Sequence, residues 1–190
     1  MRLLFACGGS GGHINPALAI ASAFKTLFPD CEILFIGGQG NIECELVPNA
    51  GFSIKTISAD NLRRSIKPKD LMHNAKAAYT TVTGLIKAKK IIKEFNPDAV
   101  IGTGGYVCYP ALKSAAALNI PTILHESNVL PGLTTRMLEK HVTSILLGFS
   151  GCEKHYKYKQ KLVMTGTPIR TGFRKTPNYN NSEKPLVLSL

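Results

Sequence analysis

Two glycine-rich turns are the parts of this sequence best suited to chemistry. The first covers residues 8–12 and is followed by His13; the second covers residues 102–105 and is followed by Tyr106. Each comes directly after a short apolar run and before a helix-compatible stretch. A strand that ends in glycine lets the backbone turn tightly, and the next helix offers N–H groups and its positive dipole end to an anion. Two such turns in one parallel sheet indicate a ligand that carries a diphosphate.

His13 has the chemistry of a general base. It stands at the mouth of a helix N-terminus, where the dipole favours the neutral imidazole that accepts a proton. Judged from the residues alone, a helix-capping or ligand-contact role is the more common use of a histidine at this place. All three roles stay open at this point.

An alternation of apolar runs and helix-compatible stretches supplies the elements that position these residues. The runs predict strands at residues 3–6, 33–36, 53–57, 99–101, 121–124, 144–147 and 162–164. Helices are predicted at residues 16–28, 42–47, 68–95, 110–118 and 133–139, the first with Asn15 as its N-cap and Pro16 in its first turn. This pattern is typical of an α/β fold, a Rossmann-like parallel sheet with helices on both faces. Ligands of such sheets bind at the carboxyl ends of the strands, where both glycine turns fall.

Composition and cysteine content narrow the class of protein. The chain has 190 residues, of which 44% are hydrophobic, enough for one domain with a sizeable core. Its 5 cysteines are scattered, with no C-x-x-C pair and no histidine at metal-ligand spacing, so we expect buried, reduced thiols and no metal site. No apolar run has the length of a membrane span. We therefore expect a soluble, cytosolic protein, which could still lie against a membrane.

The charge is strongly basic. The net charge is +11, from 23 Lys and Arg against 12 Asp and Glu. Acid-free basic stretches lie between Asp70 and Glu94 and between Glu153 and Glu183. Such stretches are often only solvated faces, but together they favour an anionic partner, for which nucleic acid and anionic lipid both qualify.

The two common nucleotide-binding motifs do not fit. A dinucleotide fingerprint would need a glycine at Ile14 and an acidic residue at the end of the second strand, where Gln39 follows two glycines. A P-loop would need a lysine directly after a glycine turn, and neither turn has one. The glycine turns therefore belong to another class of anion site.

Four motifs, in order and spacing, resemble the N-terminal half of the MurG family of bacterial glycosyltransferases. They are GGSGGH at residues 8–13, GGYV at 104–107, HESN at 125–128 with GLT at 132–134, and GTPIR at 166–170. This family transfers N-acetylglucosamine from UDP-N-acetylglucosamine to lipid I, forming lipid II for peptidoglycan synthesis. The resemblance implies a GT-B architecture with an N-terminal acceptor domain. It also implies an inverting direct displacement without cofactor or metal.

The resemblance also implies roles for individual residues. His13 would assist deprotonation of the muramyl 4-hydroxyl as the catalytic residue. The residues expected to contact the donor are Ser10, Gly11, Gly12, Asn128 and Arg170. The residues expected to hold the acceptor diphosphate and sugar are Gly104, Gly105, Tyr106 and Glu126.

Two of these residues have alternatives. Asn128 carries donors and an acceptor that can bridge sugar hydroxyls, but it could instead cap the helix after Pro131. Glu126 could orient either His125 or the acceptor, and we do not expect it to be the base.

In the family, a second glycine-rich motif and a donor domain follow the strand that begins near Leu186, whereas this sequence stops at Leu190. We therefore expect an acceptor domain at residues 1–175, and a linker with the first strand of a missing C-terminal donor domain at residues 176–190. The chain alone should be inactive. The expected place of action is the cytoplasmic face of the bacterial cell membrane, with residues 69–95 against anionic lipid.

Two alternatives remain to the interpretation that this is a transferase domain whose donor half lies elsewhere in the same chain. One is a non-catalytic basic module that binds anionic lipid or nucleic acid; the other is the acceptor half of a two-chain transferase. The glycine turns, His13 and Asn128 favour a transferase, because charge-driven surface binding would not require them. On this interpretation nucleic acid is not a partner.

Overall fold

The fold is an alternating α/β chain. The computed structural model describes residues 1–59 and 68–169, apart from the side chains of residues 68–76. The strands are β1 (Arg2–Ala6), β2 (Glu32–Gly38), β3 (Ser53–Ile57), β4 (Ala99–Gly102), β5 (Thr122–Glu126), β6 (Ser144–Leu147) and β7 (Leu162–Met164). The helices are α1 (Gly11–Leu27), α2 (Glu43–Asn49), α3 (Pro68–Phe95), α4 (Cys108–Ala116) and α5 (Leu133–Leu138). Two short 3-10 helices, Glu153–His155 and Lys159–Lys161, precede β7.

Seven parallel strands form one sheet in the order β3-β2-β1-β4-β5-β6-β7. The chain first adds strands on one side of β1 and then crosses back to add β4 on the other side. Neighbouring loops at the carboxyl ends of β1 and β4 therefore leave the sheet in opposite directions. Such a switch point is where open α/β sheets bind ligands, and both glycine turns lie there.

Both faces of the sheet are covered by helices. Leu4 and Ala6 of β1 belong to the core under α3, α4 and α5, whereas Leu3 and Phe5 belong to the core under α1 and α2. Phe5 stacks on Phe35 of β2 with ring centroids 5.1 Å apart. Burial on both faces explains why the central strands are continuous apolar runs. The predicted Rossmann-like sheet with helices on both faces is confirmed.

The start of α1 corrects a sequence prediction. The helix begins at Gly11 and not at Pro16, its N-cap is Ser10, and Asn15 is an ordinary helical residue. The Ser10 carbonyl accepts the N–H groups of His13 and Ile14, each at 3.1 Å, which closes the first turn. Pro16 lies inside this helix, and its nitrogen cannot donate a hydrogen bond to the carbonyl four residues earlier. His13 therefore lies inside the first turn of α1.

Strand β5 is longer than predicted. It continues through His125 and Glu126, which pair in register with β6. These two residues therefore lie on the strand and point to opposite faces of the sheet. The other predicted strands and helices agree with the structure to within about two residues at each end, the usual uncertainty of such boundaries.

Several expectations concern cysteines, membrane spans and the chain end. The 5 cysteines are free thiols, and all except Cys44 are buried. In the described part of the chain, no helix combines the length and apolar character needed to cross a bilayer. The predicted linker at residues 176–190 and the donor contact Arg170 lie outside the described residues.

Candidate active site

His13 is held by the turn that precedes it. It is the third residue of α1, partly exposed, and its Nδ1 lies 3.1 Å from the Gly8 carbonyl. Because a carbonyl only accepts hydrogen bonds, Nδ1 carries the proton and donates it. The neutral ring then has its basic lone pair on Nε2, which makes no hydrogen bond with the described residues. The turn therefore leaves Nε2 as an available proton acceptor.

The second glycine turn packs directly against the first. Gly104 has a φ of +116°, and a Cβ there would lie 2.8 Å from Nε2 of His13. Gly105 has a φ of +87°, and a Cβ there would run into the Gly8 carbonyl oxygen. The Thr103 hydroxyl adds a 2.6 Å hydrogen bond to the carbonyl of His13. The two turns and His13 therefore form a single unit, and only glycine permits this approach.

The N-terminus of α1 is the part of this unit that is open to an anion. The helix has no side-chain cap and no acidic residue in its first turn. The N–H groups of Gly11 and Gly12 make no hydrogen bond with the described residues, and Ser10 beside them is exposed. These donors and the helix dipole point into the space above the sheet.

In the second turn, one backbone N–H group is already used in a hydrogen bond within the protein. The N–H of Gly104 donates to Sγ of Cys108 at 3.3 Å, and this thiol donates to the Ala6 carbonyl at 3.0 Å. Burial raises the pKa of Cys108 to about 12, so the side chain is a neutral thiol. Gly104 thus has no N–H to offer a ligand. Of the three acceptor contacts predicted at this turn, we therefore keep Gly105 and Tyr106.

Sequence analysis missed Glu43, which supports the first turn from below. Its side chain is fully buried. One carboxylate oxygen accepts the N–H of Gly38 at 2.8 Å, and the other accepts the N–H of Gly9 at 3.2 Å. Glu43 therefore fastens the end of β2 to the turn after β1. The available signal was an acidic residue placed just after the glycine-rich end of a predicted strand.

Tyr106 links the second turn to the same region. Its hydroxyl accepts a 2.6 Å hydrogen bond from Nδ2 of Asn41, in the loop between β2 and α2. The ends of β1, β2 and β4 are thus joined by side chains as well as by the sheet.

Glu126 organises the loop after β5. It is 6% exposed; Oε1 accepts the backbone N–H and the side-chain Nδ2 of Asn128, at 3.0 and 2.7 Å. Oε2 accepts the N–H of Gly132 at 3.1 Å and the Thr135 hydroxyl at 2.6 Å. With four donors from the protein, the carboxylate supports the loop and the start of α5. The structure does not favour the expectation that it contacts the acceptor.

Asn128 has a fixed orientation because of this carboxylate. Since Glu126 can only accept, the amide nitrogen of Asn128 points to it and the amide oxygen points away. Asn128 itself is exposed. The N-cap of α5 is Gly132, so the alternative in which Asn128 caps that helix is wrong.

His125 joins the end of β5 to the segment after β7, and it does not contact the Glu126 carboxylate. Its Nε2 donates to the Gly166 carbonyl at 3.1 Å, and Nδ1 accepts from the Ser127 hydroxyl at 3.3 Å. Burial lowers the pKa of His125, which keeps the ring neutral. The alternative in which Glu126 orients His125 by a hydrogen bond is therefore wrong.

An apolar cavity of about 370 Å³ lies beside the second turn, between α3, α4 and α5. Tyr106 and Tyr109 form its end nearest the turn, and Val82 and Leu85 of α3 form another wall. On the outer surface of α3, Tyr79, Val82 and Ile86 are 70%, 56% and 67% exposed. The spacing of three and four residues places them on one stripe of the helix.

Comparison with known proteins gives the chain a family. The model of the glycosyltransferase family 28 N-terminal domain matches residues 3–147. A relative from Alkaliphilus oremlandii is named UDP-N-acetylglucosamine--N-acetylmuramyl-(pentapeptide) pyrophosphoryl-undecaprenol N-acetylglucosamine transferase. It is 47% identical over 99% of this chain and 52% of its own length. A relative from Lactococcus lactis with the same name is 45% identical over 88% of this chain and 46% of its own length. The chain spans about half the length of the curated relatives it matches.

Solved structures agree with this assignment. The crystal structure of Acinetobacter baumannii MurG has a TM-score of 0.72 at 25% identity, over 87% of this chain and 46% of that chain. The UDP-GlcNAc 2-epimerase of Methanocaldococcus jannaschii has a TM-score of 0.63 at 13% identity, over 88% of this chain and 46% of that chain, which shows a shared fold alone. Both glycine turns and His13 lie within the matched residues 3–147. The chain therefore belongs to glycosyltransferase family 28 and carries its N-terminal domain.

Proposed function

We propose that this chain is the acceptor-binding domain of a transferase that moves N-acetylglucosamine from UDP-N-acetylglucosamine to lipid I, forming lipid II. One observation carries the proposal: both glycine turns meet around Nε2 of His13, which makes no hydrogen bond with the described residues, at the switch point of the sheet. The identity to relatives that bear this transferase name supports it. A non-catalytic basic module would need neither the turns nor this orientation of His13.

In the proposed reaction, His13 acts as general base through Nε2. The muramyl 4-hydroxyl attacks the anomeric carbon of the donor sugar, and its proton passes to Nε2 as the new C–O bond forms. The bond from the anomeric carbon to the UDP oxygen breaks, so UDP leaves with the electron pair. The Gly8 carbonyl keeps Nδ1 as the donor and stabilises the imidazolium that results.

The residues around His13 divide between the two substrates. The open N-terminus of α1 at Ser10, Gly11 and Gly12 would face the donor diphosphate, where its N–H groups and dipole stabilise negative charge. On the acceptor side, Gly105 and Tyr106 would hold the diphosphate and sugar of the lipid.

Residues outside the two glycine turns also have roles in this assignment of donor and acceptor contacts. Asn128 would accept a hydrogen bond from a hydroxyl of the donor sugar through the amide oxygen that points away from Glu126. Glu43 and Glu126 are assigned as positioning residues, one for the first turn and one for Asn128. Arg170, outside the described residues, stays a predicted donor contact.

The stripe of Tyr79, Val82 and Ile86 on α3 would touch the membrane that carries lipid I. Lys87, Lys89 and Lys90 are exposed on the same helix and could meet anionic headgroups. Contact at the cytoplasmic face of the cell membrane would bring the acceptor to the second glycine turn. Liposome flotation with and without anionic lipid tests this contact, and equal non-binding in both would contradict it.

Acceptor binding tests the proposed function. A soluble lipid I analogue with a short prenyl chain is titrated into the chain by calorimetry, with UDP-N-acetylglucosamine in a parallel titration. We expect the analogue to bind with a one-to-one stoichiometry and the sugar nucleotide alone to bind more weakly. Absence of acceptor binding, or tighter binding of the sugar nucleotide, would contradict an acceptor domain.

Turnover gives a second test. The chain alone should form no product from both substrates, because catalysis needs the donor held against the acceptor in one cleft. A chimera that adds the C-terminal half of the Alkaliphilus oremlandii relative, in the register of their alignment, should form product. Robust turnover by the chain alone would contradict the division of labour proposed here.

A further inference from the structure

Tyr106 lies where three loops meet at the carboxyl ends of the strands. It follows the second glycine turn, and its ring packs over the first turn, since a Cβ on Gly9 would lie 3.3 Å from Cε1 of that ring. The loop between β2 and α2 reaches it through Asn41, whose Nδ2 donates a 2.6 Å hydrogen bond to the phenolic oxygen. The half-buried tyrosine is therefore positioned by two other loops as well as by its own.

Asn41 is itself held in a fixed place before α2. Its carbonyl accepts the N–H of Cys44 at 2.9 Å, which forms the turn that leads into the helix. Two residues after Asn41, the Glu43 carboxylate fastens the same segment to the end of β2 and to the first glycine turn. Because this backbone is anchored, little conformational freedom has to be lost for the amide to reach Tyr106.

The end of β2 leaves room for this hydrogen bond. A Cβ on Gly38 would collide with Nδ2 of Asn41 and would lie 3.3 Å from the Tyr106 hydroxyl. The φ of Gly38 lies outside the left-handed region, so glycine is needed here for space and not for conformational freedom. The amide and the phenol therefore occupy the space that a side chain at this position would fill.

The direction of the hydrogen bond decides what Tyr106 can offer a ligand. An amide nitrogen only donates, so the Tyr106 oxygen is the acceptor in its contact with Asn41. The phenolic hydrogen must then lie on another side of the oxygen, where it can be donated. A phosphate oxygen is a strong acceptor that suits such a donor. Without the amide, the phenolic hydrogen could rotate toward the place that Nδ2 now occupies.

We propose that Asn41 is a positioning residue that sets the Tyr106 hydroxyl as a hydrogen-bond donor to the diphosphate of the acceptor. The proposal rests on the acceptor contact of Tyr106 in the proposed function, and it adds a residue from the loop after β2 that acts only through Tyr106. The amide fixes the phenolic oxygen and the direction of its hydrogen before the ligand arrives. Binding then loses less conformational freedom, which makes it tighter.

The test measures the affinity of the chain for two probes, the lipid I analogue with a short prenyl chain and inorganic pyrophosphate. Asn41→Ala removes the donor and should weaken binding of both probes about threefold. Asn41→Asp places a carboxylate in nearly the same space. Because a carboxylate only accepts, it takes the phenolic hydrogen and turns it away from the ligand. We expect this variant to bind both probes about tenfold more weakly or worse.

The aspartate variant also separates positioning from a purely structural role. Its carboxylate keeps a hydrogen bond with Tyr106 and only reverses the direction, so the melting temperature should stay close to that of the unaltered chain. If Asn41 served stability alone, a variant that keeps the hydrogen bond would also keep the affinity. The expected result is therefore an unchanged melting temperature together with weaker binding.

Two further variants control for charge and for action through Tyr106. Gln39→Glu adds the same charge at an exposed position in the same loop, and its affinity should stay within about threefold of that of the unaltered chain. Tyr106→Phe removes the hydroxyl and should weaken binding about tenfold. In the Tyr106→Phe background, Asn41→Ala should cause no further loss, because the residue through which Asn41 acts has lost its hydroxyl.

Three results would overturn the proposal. The first is an Asn41→Asp variant that binds both probes as tightly as the unaltered chain, and the second is equal weakening by Gln39→Glu and Asn41→Asp. The third is an Asn41→Ala effect that is the same with and without the Tyr106 hydroxyl. An unaltered chain that binds neither probe would overturn both this proposal and the proposed function. Pyrophosphate binding that depends on Asn41, without binding of the lipid I analogue, would contradict only the proposed acceptor.

Discussion

The two glycine turns look alike in sequence but use their glycines differently. In the first turn, Gly11 and Gly12 begin α1 and leave their N–H groups unbonded among the described residues. In the second turn, Gly104 and Gly105 adopt positive φ angles and lie against His13 and the Gly8 carbonyl. The first turn is therefore open toward a ligand at its helix N-terminus, whereas the Cα atoms of Gly104 and Gly105 in the second turn are packed closely against the protein.

This difference shows that glycines in similar sequences can meet two different structural needs. One turn needs glycine so that a helix N-terminus stays uncovered. The other needs glycine so that two loops can approach within van der Waals distance. Together they produce a partly exposed histidine whose ring is fixed in direction by the Gly8 carbonyl.

Gly105→Ala and Gly12→Ala should show the largest difference between the two turns, measured as the loss in the free energy of unfolding. At Gly105 the methyl group meets the Gly8 carbonyl and the φ of +87° is strained, so we expect a loss of about 3 kcal/mol in the free energy of unfolding. At Gly12 the nearest atom to a Cβ is Oγ of Ser10 at 3.7 Å, so the change should stay within about 0.5 kcal/mol. Urea denaturation measures both, and equal losses would remove the distinction.

Glu43→Gln tests the support beneath the open turn. The amide can accept only one of the two N–H groups that the carboxylate now accepts, and its NH₂ faces the other. We expect a loss of about 2 kcal/mol in the free energy of unfolding. Glu45→Gln on the same helix is exposed and should change it by less than about 0.5 kcal/mol. If the two variants are equally stable, Glu43 does not hold the turn.

The third test concerns His125 at the end of β5, where we expect a smaller and pH-dependent effect on stability. The pKa of His125 lies below its unfolded value of about 6.5, so the unfolded chain binds more protons in acid. The stability from the neutral ring is complete above about pH 6.5 and is lost as the pH falls below it. His125→Gln should reduce the acid-induced drop in the melting temperature, whereas His155→Gln, at an exposed position, should leave it in place. An unchanged drop in His125→Gln would mean that this ring is not held neutral by folding.

The sheet and its helices were predictable because their signals are local. Apolar runs such as residues 99–101 are buried on both faces, and proline or glycine marks most of their ends. The start of α1 was not predictable, since Gly11 and Gly12 have weak helix propensity and the helix forms because Ser10 closes its first turn. Residues 8–13 and Asn128 could be proposed as site residues from the motifs that resemble the MurG family.

The long-range contacts could not be identified in this way. The hydrogen bonds from the Gly9 N–H to Glu43 and from Asn41 to Tyr106 join residues distant in the chain, and their partners are set by the register of the sheet. Contacts of this kind depend on which strands become neighbours, which the sequence pattern does not state.

His13→Asn in the chimera with the Alkaliphilus oremlandii C-terminal half tests the central claim most directly. The asparagine amide can still donate to the Gly8 carbonyl, as Nδ1 does, but it removes the base at Nε2. We predict that kcat falls about 100-fold or more while the KM for the acceptor changes by less than about threefold. The isolated chain carrying the same substitution should keep its melting temperature and its affinity for the lipid I analogue. A kcat within about threefold of the unaltered chimera would contradict the assignment of His13 as the base around which the two glycine turns are built.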